Sequence, residues 1–336
     1  MDQLSGPELA AAVSNAGGLG ALGAGGLEPD QIQEYIDRTR ALTDRPFGID
    51  TLLPPKIEDK GGVDAIKKDI PQAYWDLAEE LRAKYDLPEV PNWRGRQPPL
   101  TPEFTASQIA VIVRNHVAVY ISGLGTPGPY IEELHAAGTT VMALVGSVRQ
   151  AVSVVADGVD VVIAQGHEAG GHNSRETLFT LLPAVVDAIE NRVPVLAGGG
   201  IVDARGVAAA AALGASGVWV GTRFLITEEA QIPESLKRYM SGQTGAKRET
   251  TISRYRTGKP VRMLRSQILE EFAQSGLPPL PMPLMSLVTG PLLVGAMQVE
   301  RYDLSGFPAS QAVMSINDVP PAQHVVKTLV NKSPSH

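Results

Sequence analysis

The sequence contains no cysteine among its 336 residues, and this absence removes several kinds of chemistry at once. Disulfides, thiolate nucleophiles, iron–sulfur clusters and zinc sites with cysteine ligands are all excluded. An excess of basic residues is also lacking, since 29 Lys and Arg stand against 36 Asp and Glu for a net charge of −7. Nucleic acid and anionic membranes, which bind basic surfaces, are therefore not expected as partners.

Long apolar runs and a targeting segment are lacking as well. The longest uncharged stretch, residues 272–299, carries prolines in a number that a membrane-spanning helix would not tolerate. No charged and then apolar segment of the signal-peptide type opens the chain. A cytoplasmic protein fits these features best, with export as the alternative that the absence of cysteine leaves open. The hydrophobic content of 43% predicts a sizeable core.

The chain instead repeats one unit, in which a short apolar strand is followed by an amphipathic helix. Such alternation is typical of a parallel β-sheet in an α/β protein. Glycine clusters end several of the strands, whereas a doubly wound open sheet would concentrate them at one switch point. The pattern favours a TIM (β/α)8-type barrel, with the open sheet as the alternative. The predicted strands lie at residues 19–23, 47–53, 117–121, 140–145, 160–164, 193–197 and 217–221.

Two regions interrupt the repeat. Residues 54–102 form an insertion after a strand end, which places it over the active-site face of a barrel. Residues 226–336 are predicted to form a C-terminal helical cap region, with helices near 233–240 and 263–275. The expected domain organisation is a ligand-binding barrel over residues 1–225 followed by this cap region.

Two glycine-rich clusters follow the last two predicted strands. Gly199 and Gly200 come after the sixth strand, and Gly221 and Thr222 come at the end of the seventh. Glycines let backbone N–H groups face a ligand, and the loops after the last two strands of a TIM barrel frequently bind phosphate. Each cluster alone is equally compatible with a tight turn, but the pair predicts a phosphate site.

A third cluster, from Gln165 to His172, reads QGHEAGGH and follows the fifth predicted strand. Two histidines at a strand end raise the alternative of a metal site, but no third ligand stands out nearby and no metal is expected. The favoured interpretation is that Gly170 and Gly171 leave space for a flat ligand. His172 then projects towards that ligand as an acid/base or a hydrogen-bond donor, and His167 is interpreted as structural.

Together with SNAGGLG at residues 14–20 and PFGID at residues 46–50, these clusters resemble the nitronate monooxygenase family, formerly called 2-nitropropane dioxygenases. The resemblance implies an FMN-dependent TIM barrel. The implied partners are a small-molecule substrate and O2, and the implied reaction oxidises alkyl nitronates or nitroalkanes to a carbonyl compound and nitrite. Enoyl-acyl carrier protein reductase II and some NADH:quinone reductases share most of these motifs. An NAD(P)H-dependent reductase of quinones or enoyl thioesters is therefore the alternative within the class.

The resemblance also implies roles for individual residues. His172 corresponds to the catalytic histidine, and Gln165 and Gly170 correspond to positions that contact the flavin. Where the family commonly has an asparagine that touches the flavin, this chain has Asp50. A carboxylate accepts but does not donate at neutral pH, which either weakens this correspondence or points to a contact with a ribityl hydroxyl. The residues implied in holding the FMN phosphate are Gly199, Gly200, Gly221 and Thr222.

One strand of the barrel is not accounted for. Family members begin with a strand that ends in a Gln-Ala-Pro-Met-like segment, and Met1 stands where the methionine of that segment would be. Because only seven strands are counted and a (β/α)8 barrel needs eight, the first strand is expected to be missing from this chain. Two further alternatives follow, a non-catalytic FMN- or phosphate-binding barrel and a phosphosugar-type barrel without flavin. The sequence makes no prediction of the oligomeric state.

Overall fold

The computed structural model describes residues 4–53, 66–91 and 101–330. Ten strands in these ranges form two sheets. The small antiparallel sheet contains β6 (Gly171–His172), β9 (Thr250–Ser253) and β10 (Val261–Leu264), with β10 in the centre. The large parallel sheet contains β1 (Gly20–Gly23), β2 (Phe47–Leu52), β3 (Val119–Leu124), β4 (Thr140–Val145), β5 (Val161–Gln165), β7 (Val195–Gly198) and β8 (Gly217–Trp219).

The order of the large sheet distinguishes the barrel from the open alternative. Its strands follow one another as β1–β2–β3–β4–β5–β7–β8, each pair parallel, with no reversal of direction along the sheet. A doubly wound sheet would contain a switch point at which the order reverses. The sheet is therefore of the TIM-barrel type and contains the seven strands that the sequence predicted.

Helices connect and cover these strands. Several begin at the polar residues that the sequence supplies as caps, as at Asp203, whose carboxylate accepts a hydrogen bond from the backbone N–H of Arg205. The described helices are α1 (Pro7–Asn15), α2 (Pro29–Leu42), α3 (Gln72–Lys84), α4 (Pro102–Arg114), α5 (Ile131–Ala136), α6 (Val148–Ala156), α7 (Leu178–Ile189), α8 (Ala204–Ala212), α9 (Thr222–Leu225), α10 (Glu234–Met240), α11 (Gln267–Gln274), α12 (Leu284–Gln298), α13 (Tyr302–Ser305) and α14 (Ala322–Val330).

The helix predicted over residues 263–275 is only partly correct. Met263 and Leu264 belong to β10, and the helix α11 begins after Ser266, whose hydroxyl accepts from the N–H of Leu269. All four residues of β10 are buried. A short strand that is buried on both faces shows no alternation of apolar and polar residues, so its sequence does not distinguish it from the start of a helix.

Side chains on each strand alternate between two environments. Ile49 packs between the sheet and the surrounding helices, whereas Ile121, Met142 and Ile163 form a separate cluster on the inner face of the curved sheet. Asp50 is the direct neighbour of Ile121 in the β2–β3 register and lies on that inner face. The inner face therefore carries the carboxylate of Asp50 near the carboxyl end of β2.

The edges of the large sheet are β1 and β8, and no strand of the described residues joins them. The segment before α1 lies along the open edge of β1. The carbonyl oxygen of Ser5 accepts from the N–H of Gly23 at 3.0 Å, and its hydroxyl donates to the carbonyl oxygen of Ala21 at 2.6 Å. The segment leading into α1 thus satisfies part of the backbone that the edge strand leaves unpaired.

A second apolar core joins the described part of the insertion to the C-terminal region. It contains Leu81 of α3, Phe272 of α11, and Met285 and Leu292 of α12. The described part of the insertion therefore packs against the C-terminal region. The division of the chain near residue 225 stays a prediction. Across the described ranges, none of the helices has the length and apolarity required to cross a membrane.

Candidate active site

The three sequence clusters meet at the carboxyl edge of the large sheet. Gln165 at the end of β5 is the register partner of Gly198 in β7, and Gly198 is the partner of Trp219 in β8. The N–H of Gly166 donates to the carbonyl oxygen of Gly198 at 2.9 Å. Clusters that are separated by about 20 to 55 residues in the chain therefore lie side by side, because adjacent parallel strands are about 4.8 Å apart. Ligand sites of TIM barrels occupy this face.

The glycine pair after β7 has the backbone of an anion cradle. Gly199 has φ +105° and Gly200 has φ +76°, which side chains rarely permit. A Cβ atom on Gly199 would come within 3.0 Å of the backbone nitrogen of Ala169. Neither of the two N–H groups donates a hydrogen bond within the described part of the chain. These N–H groups are available to a phosphate, so this side of the site fits FMN.

Thr222 is the first residue of α9, directly after Gly221 and three residues beyond the end of the neighbouring strand β8. Its side chain is buried, and its Oγ1 accepts a hydrogen bond of 2.9 Å from the backbone N–H of Ser310. The hydroxyl proton is not used in that bond and remains able to donate to a phosphate oxygen. Ser310 also donates through its own hydroxyl to the carbonyl oxygen of Glu168 at 2.8 Å. The C-terminal region thus ties the Thr222 loop to the QGHEAGGH loop.

The opposite wall of the inner face carries Asp50. Three strand spacings separate β2 from β5, so Asp50 and Gln165 stand on strands about 14 Å apart along the curved sheet. A Cβ atom on Gly123 would lie 2.5 Å from the Oδ1 atom of Asp50, so the carboxylate fits in this position only because residue 123 has no side chain. Burial raises the pKa of the Tyr120 hydroxyl, and the negative charge of Asp50 raises it further.

The backbone of His172 is held from two sides. The residue forms β6, and it pairs with Val261 of β10 in the small antiparallel sheet. On the other side, the Nε2 atom of Gln165 donates to the carbonyl oxygen of His172 at 2.7 Å. The ring itself makes a contact of 3.1 Å between its Nε2 atom and the Oγ1 atom of Thr257. Gln165 therefore contributes to the position of His172 as well as lining the site.

The environment of His172 favours a neutral imidazole. Its ring is reached by solvent at the mouth of the site, but the protein around it removes enough water to lower the pKa to about 4. The positive charges of Lys259 and Arg256 lower the pKa further. At neutral pH the ring is therefore uncharged and is able to accept a proton, with less basicity than a free imidazole.

Replacing Lys259 by methionine tests this electrostatic account. The pKa of His172 is expected to rise, because one of the two cations that disfavour the charged ring is removed. Titration of the ring by NMR measures the change. Lys247→Met, which removes another exposed lysine of the C-terminal region, is the matched control and should leave the pKa of His172 where it is. A lower pKa in Lys259→Met, or the same shift in both variants, would contradict the account.

The two glycines before His172 differ in what surrounds them. A Cβ on Gly170 would come within 2.6 Å of the backbone of Ala309, so the space beside this residue is filled by the C-terminal region. Gly171 has φ +81° and nothing within 4 Å of the same position. The room that the sequence predicted for a flat ligand at both glycines therefore exists beside Gly171, and Gly170 offers a ligand only its backbone.

His167 faces away from this chemistry. Its Nδ1 atom lies 3.1 Å from the carbonyl oxygen of Ser174, and its own carbonyl oxygen accepts from the Nε atom of the buried Arg262 at 3.0 Å. Its contacts are those of a residue that shapes the loop. No group of three or more potential metal ligands occurs in the described ranges.

Sequence reasoning missed the contribution of the C-terminal region to the site. Thr257, Lys259, Arg262 and Ser310 all contact or surround the QGHEAGGH loop. A signal was present in the run RYRTGKPVR at residues 254–262, where a basic turn precedes a short strand. Only the pairing of β10 with β6 shows that this turn reaches His172.

The fold and the site define a class of protein. The strand order is that of a TIM-barrel-type enzyme, whose ligand site is expected at the carboxyl edge of the sheet, where the Gly199–Gly200 pair meets the loop that ends in His172. The chain belongs to the nitronate monooxygenase family, whose profile it matches over residues 1–332. Members of this family are flavin-dependent oxidoreductases, and the chain is accordingly a flavin-dependent oxidoreductase.

Individual relatives agree with this assignment. The chain is 34% identical to a nitronate monooxygenase of Paraburkholderia phytofirmans over 79% of this chain and 71% of that protein. A nitroalkane oxidase of Streptomyces ansochromogenes has a similar structure, with a TM-score of 0.79, 31% identity, and coverage of 97% of this chain and 91% of that chain. FabK of Thermotoga maritima is also similar, with a TM-score of 0.75, 28% identity, and coverage of 98% and 89%.

Proposed function

We propose that the chain binds FMN across the carboxyl edge of the barrel and oxidises alkyl nitronates or nitroalkanes with O2 to a carbonyl compound and nitrite. The observation that carries the proposal is that the loop ending in the neutral His172 lies against the glycine cradle, because a Cβ on Gly199 or Gly200 would meet other residues of this loop. The similarity to a nitronate monooxygenase and to a nitroalkane oxidase supports the same reaction.

The residues divide the work of binding the cofactor. Backbone N–H groups of Gly199, Gly200 and Gly221 and the hydroxyl of Thr222 would hold the phosphate. The remaining proposed flavin contacts are the side chains of Gln165 and Asp50 and the backbone of Gly170. Bound FMN supplies the electron acceptor for the substrate carbanion.

His172 would act on the substrate. A neutral nitroalkane must lose a proton from the carbon next to the nitro group, and a neutral imidazole at the open side of the site can take it. A preformed nitronate has already lost that proton, and for it the ring would only orient the nitro group. The cations Lys259 and Arg256, which face the ring, favour the negative charge of the nitronate.

The test is anaerobic reduction of the bound flavin by a panel of candidate donors. Propionate 3-nitronate and nitroethane are expected to bleach the flavin absorbance, and NADH and NADPH are not. Bleaching by NADH or NADPH alone would favour the reductase alternative. Purified protein that carries no yellow cofactor and takes none up from FMN solution would refute the proposal.

A further inference from the structure

The hydroxyl group of Thr257 is the hydrogen-bond partner that the described residues provide for the ring of His172. Its Oγ1 atom lies 3.1 Å from Nε2. Thr257 lies in the turn between β9 and β10, and β10 pairs with β6, so the two sheet pairings hold this contact in place. Within the described ranges the Nδ1 atom makes no hydrogen bond, and it stays open to a ligand.

A hydroxyl group has one proton, and the turn offers the proton of Thr257 an acceptor other than the ring. Oγ1 donates to the carbonyl oxygen of Lys259 at 3.4 Å and accepts from the N–H of Lys259 at 3.3 Å. In this arrangement Oγ1 faces the Nε2 atom of His172 as an acceptor. A ring nitrogen that faces an acceptor carries hydrogen, and the other nitrogen of a neutral imidazole then holds a lone pair.

We propose that Thr257 is a positioning residue, which holds His172 in the tautomer with hydrogen on Nε2 and thereby makes Nδ1 the atom that takes the substrate proton. The proton passes from the substrate carbon to Nδ1, and the electron pair of the broken C–H bond stays on the substrate as the nitronate. The positive ring that forms still donates from Nε2 to Oγ1, which offsets the repulsion from Lys259 and Arg256, the two cations that face it.

The inference rests on the proposed function for the identity of the proton donor, but the tautomer is measured without any turnover. In the FMN-loaded protein with 15N-labelled histidine, NMR is expected to show hydrogen on Nε2 and none on Nδ1 at neutral pH, with His172→Ala identifying the resonances. A wild-type ring with hydrogen on Nδ1 would overturn the proposal, and this result requires no variant of Thr257.

Two variants of Thr257 test the role of its hydroxyl. Thr257→Val keeps the shape of the side chain and removes the acceptor, so the tautomer preference is expected to be lost. Oxidation of neutral nitroethane should slow roughly 3- to 30-fold, as expected for one hydrogen bond, and oxidation of preformed ethyl nitronate should stay unchanged. Thr257→Ser retains the hydroxyl and should behave as the wild type in both measurements.

The outcomes separate this proposal from the proposed function. Equal slowing on nitroethane and on ethyl nitronate in Thr257→Val, or slowing that Thr257→Ser does not reverse, would assign Thr257 to packing of the hairpin and overturn the positioning role. A Thr257→Val protein with the wild-type tautomer and wild-type rates would overturn it too. A wild-type enzyme that oxidises neither compound would refute the proposed function, while the NMR result would still decide the tautomer.

Discussion

Replacing His172 by alanine is expected to slow the oxidation of a neutral nitroalkane by about 10²- to 10⁴-fold, the usual contribution of a positioned general base. The ring belongs to β6, which Gln165 and β10 hold from opposite sides. Its lowered pKa keeps it unprotonated at neutral pH. Oxidation of a preformed nitronate should suffer less, because that substrate has no proton to lose.

Steady-state rates with nitroethane and ethyl nitronate measure the effect, and His324→Ala is the matched control. His324 is an exposed histidine on α14, outside the QGHEAGGH loop, and its loss should leave both rates unchanged. Equal losses on the two substrates in His172→Ala would refute the base role and leave a role in binding. Unchanged rates on both would make His172 a structural residue.

The lowered pKa of His172 also sets the pH dependence of this step. A general base acts in its unprotonated form, so kcat/KM for nitroethane is expected to stay level from neutral pH down and to fall only as the pH approaches about 4. An ordinary histidine would already lose activity near pH 6.5. A profile with its acid limb near that higher value would show that the ring is better hydrated than its surroundings indicate.

Replacing Gly200 by valine is expected to lower the affinity for FMN roughly 10- to 100-fold. The residue has φ +76°, and a Cβ there would lie 3.3 Å from the Cβ of Glu168, so a branched side chain distorts the cradle. One lost hydrogen bond to a charged phosphate costs about 1.5–3 kcal/mol, which corresponds to this loss of affinity. Thr222→Val, which removes a hydroxyl from the same site, should lower the affinity in the same direction.

Gly138→Val is the matched control for the strain that a side chain introduces at positive φ. Gly138 has φ +78° and nothing within 4 Å of a Cβ, and it precedes β4 at the end of the barrel opposite the site. The Gly138→Val variant should have a lower melting temperature but the same dissociation constant for FMN, which is measured by quenching of flavin fluorescence. If Gly200→Val and Thr222→Val both retain stoichiometric FMN after dialysis, the phosphate binds elsewhere.

The barrel and the place where its glycine clusters meet were predictable because their signals are local. An apolar strand, a turn and an amphipathic helix are each encoded within about 30 residues, and the repeat predicts parallel neighbours in chain order. The glycines at residues 199 and 200 stand directly after such a strand, and the structure shows them at positive φ. The edge at which strand ends meet follows from parallel topology alone, so Gln165, Gly199 and Thr222 were expected together.

The surroundings of His172 were not predictable, because they depend on contacts between distant parts of the chain. Val261 pairs with His172, and Thr257 reaches its ring from 85 residues away in sequence. A four-residue strand such as β10, buried along its whole length, has no periodicity that distinguishes it from the start of a helix. The same limit applies to Gly170, whose lack of a side chain admits the backbone of Ala309.

The sequence by itself thus determined the order of the strands and the position of the glycine pair after β7, and it singled out His172 as the residue proposed to carry the acid/base chemistry. Those features depend on residue type and local spacing, both of which are read from the sequence without the tertiary structure. Only the tertiary structure decided which nitrogen of His172 faces Thr257, which cations surround the ring, and where the space for a flat ligand lies. These properties arise from burial and from the meeting of distant segments, since desolvation and hydrogen-bond partners exist only once the C-terminal hairpin packs on the barrel.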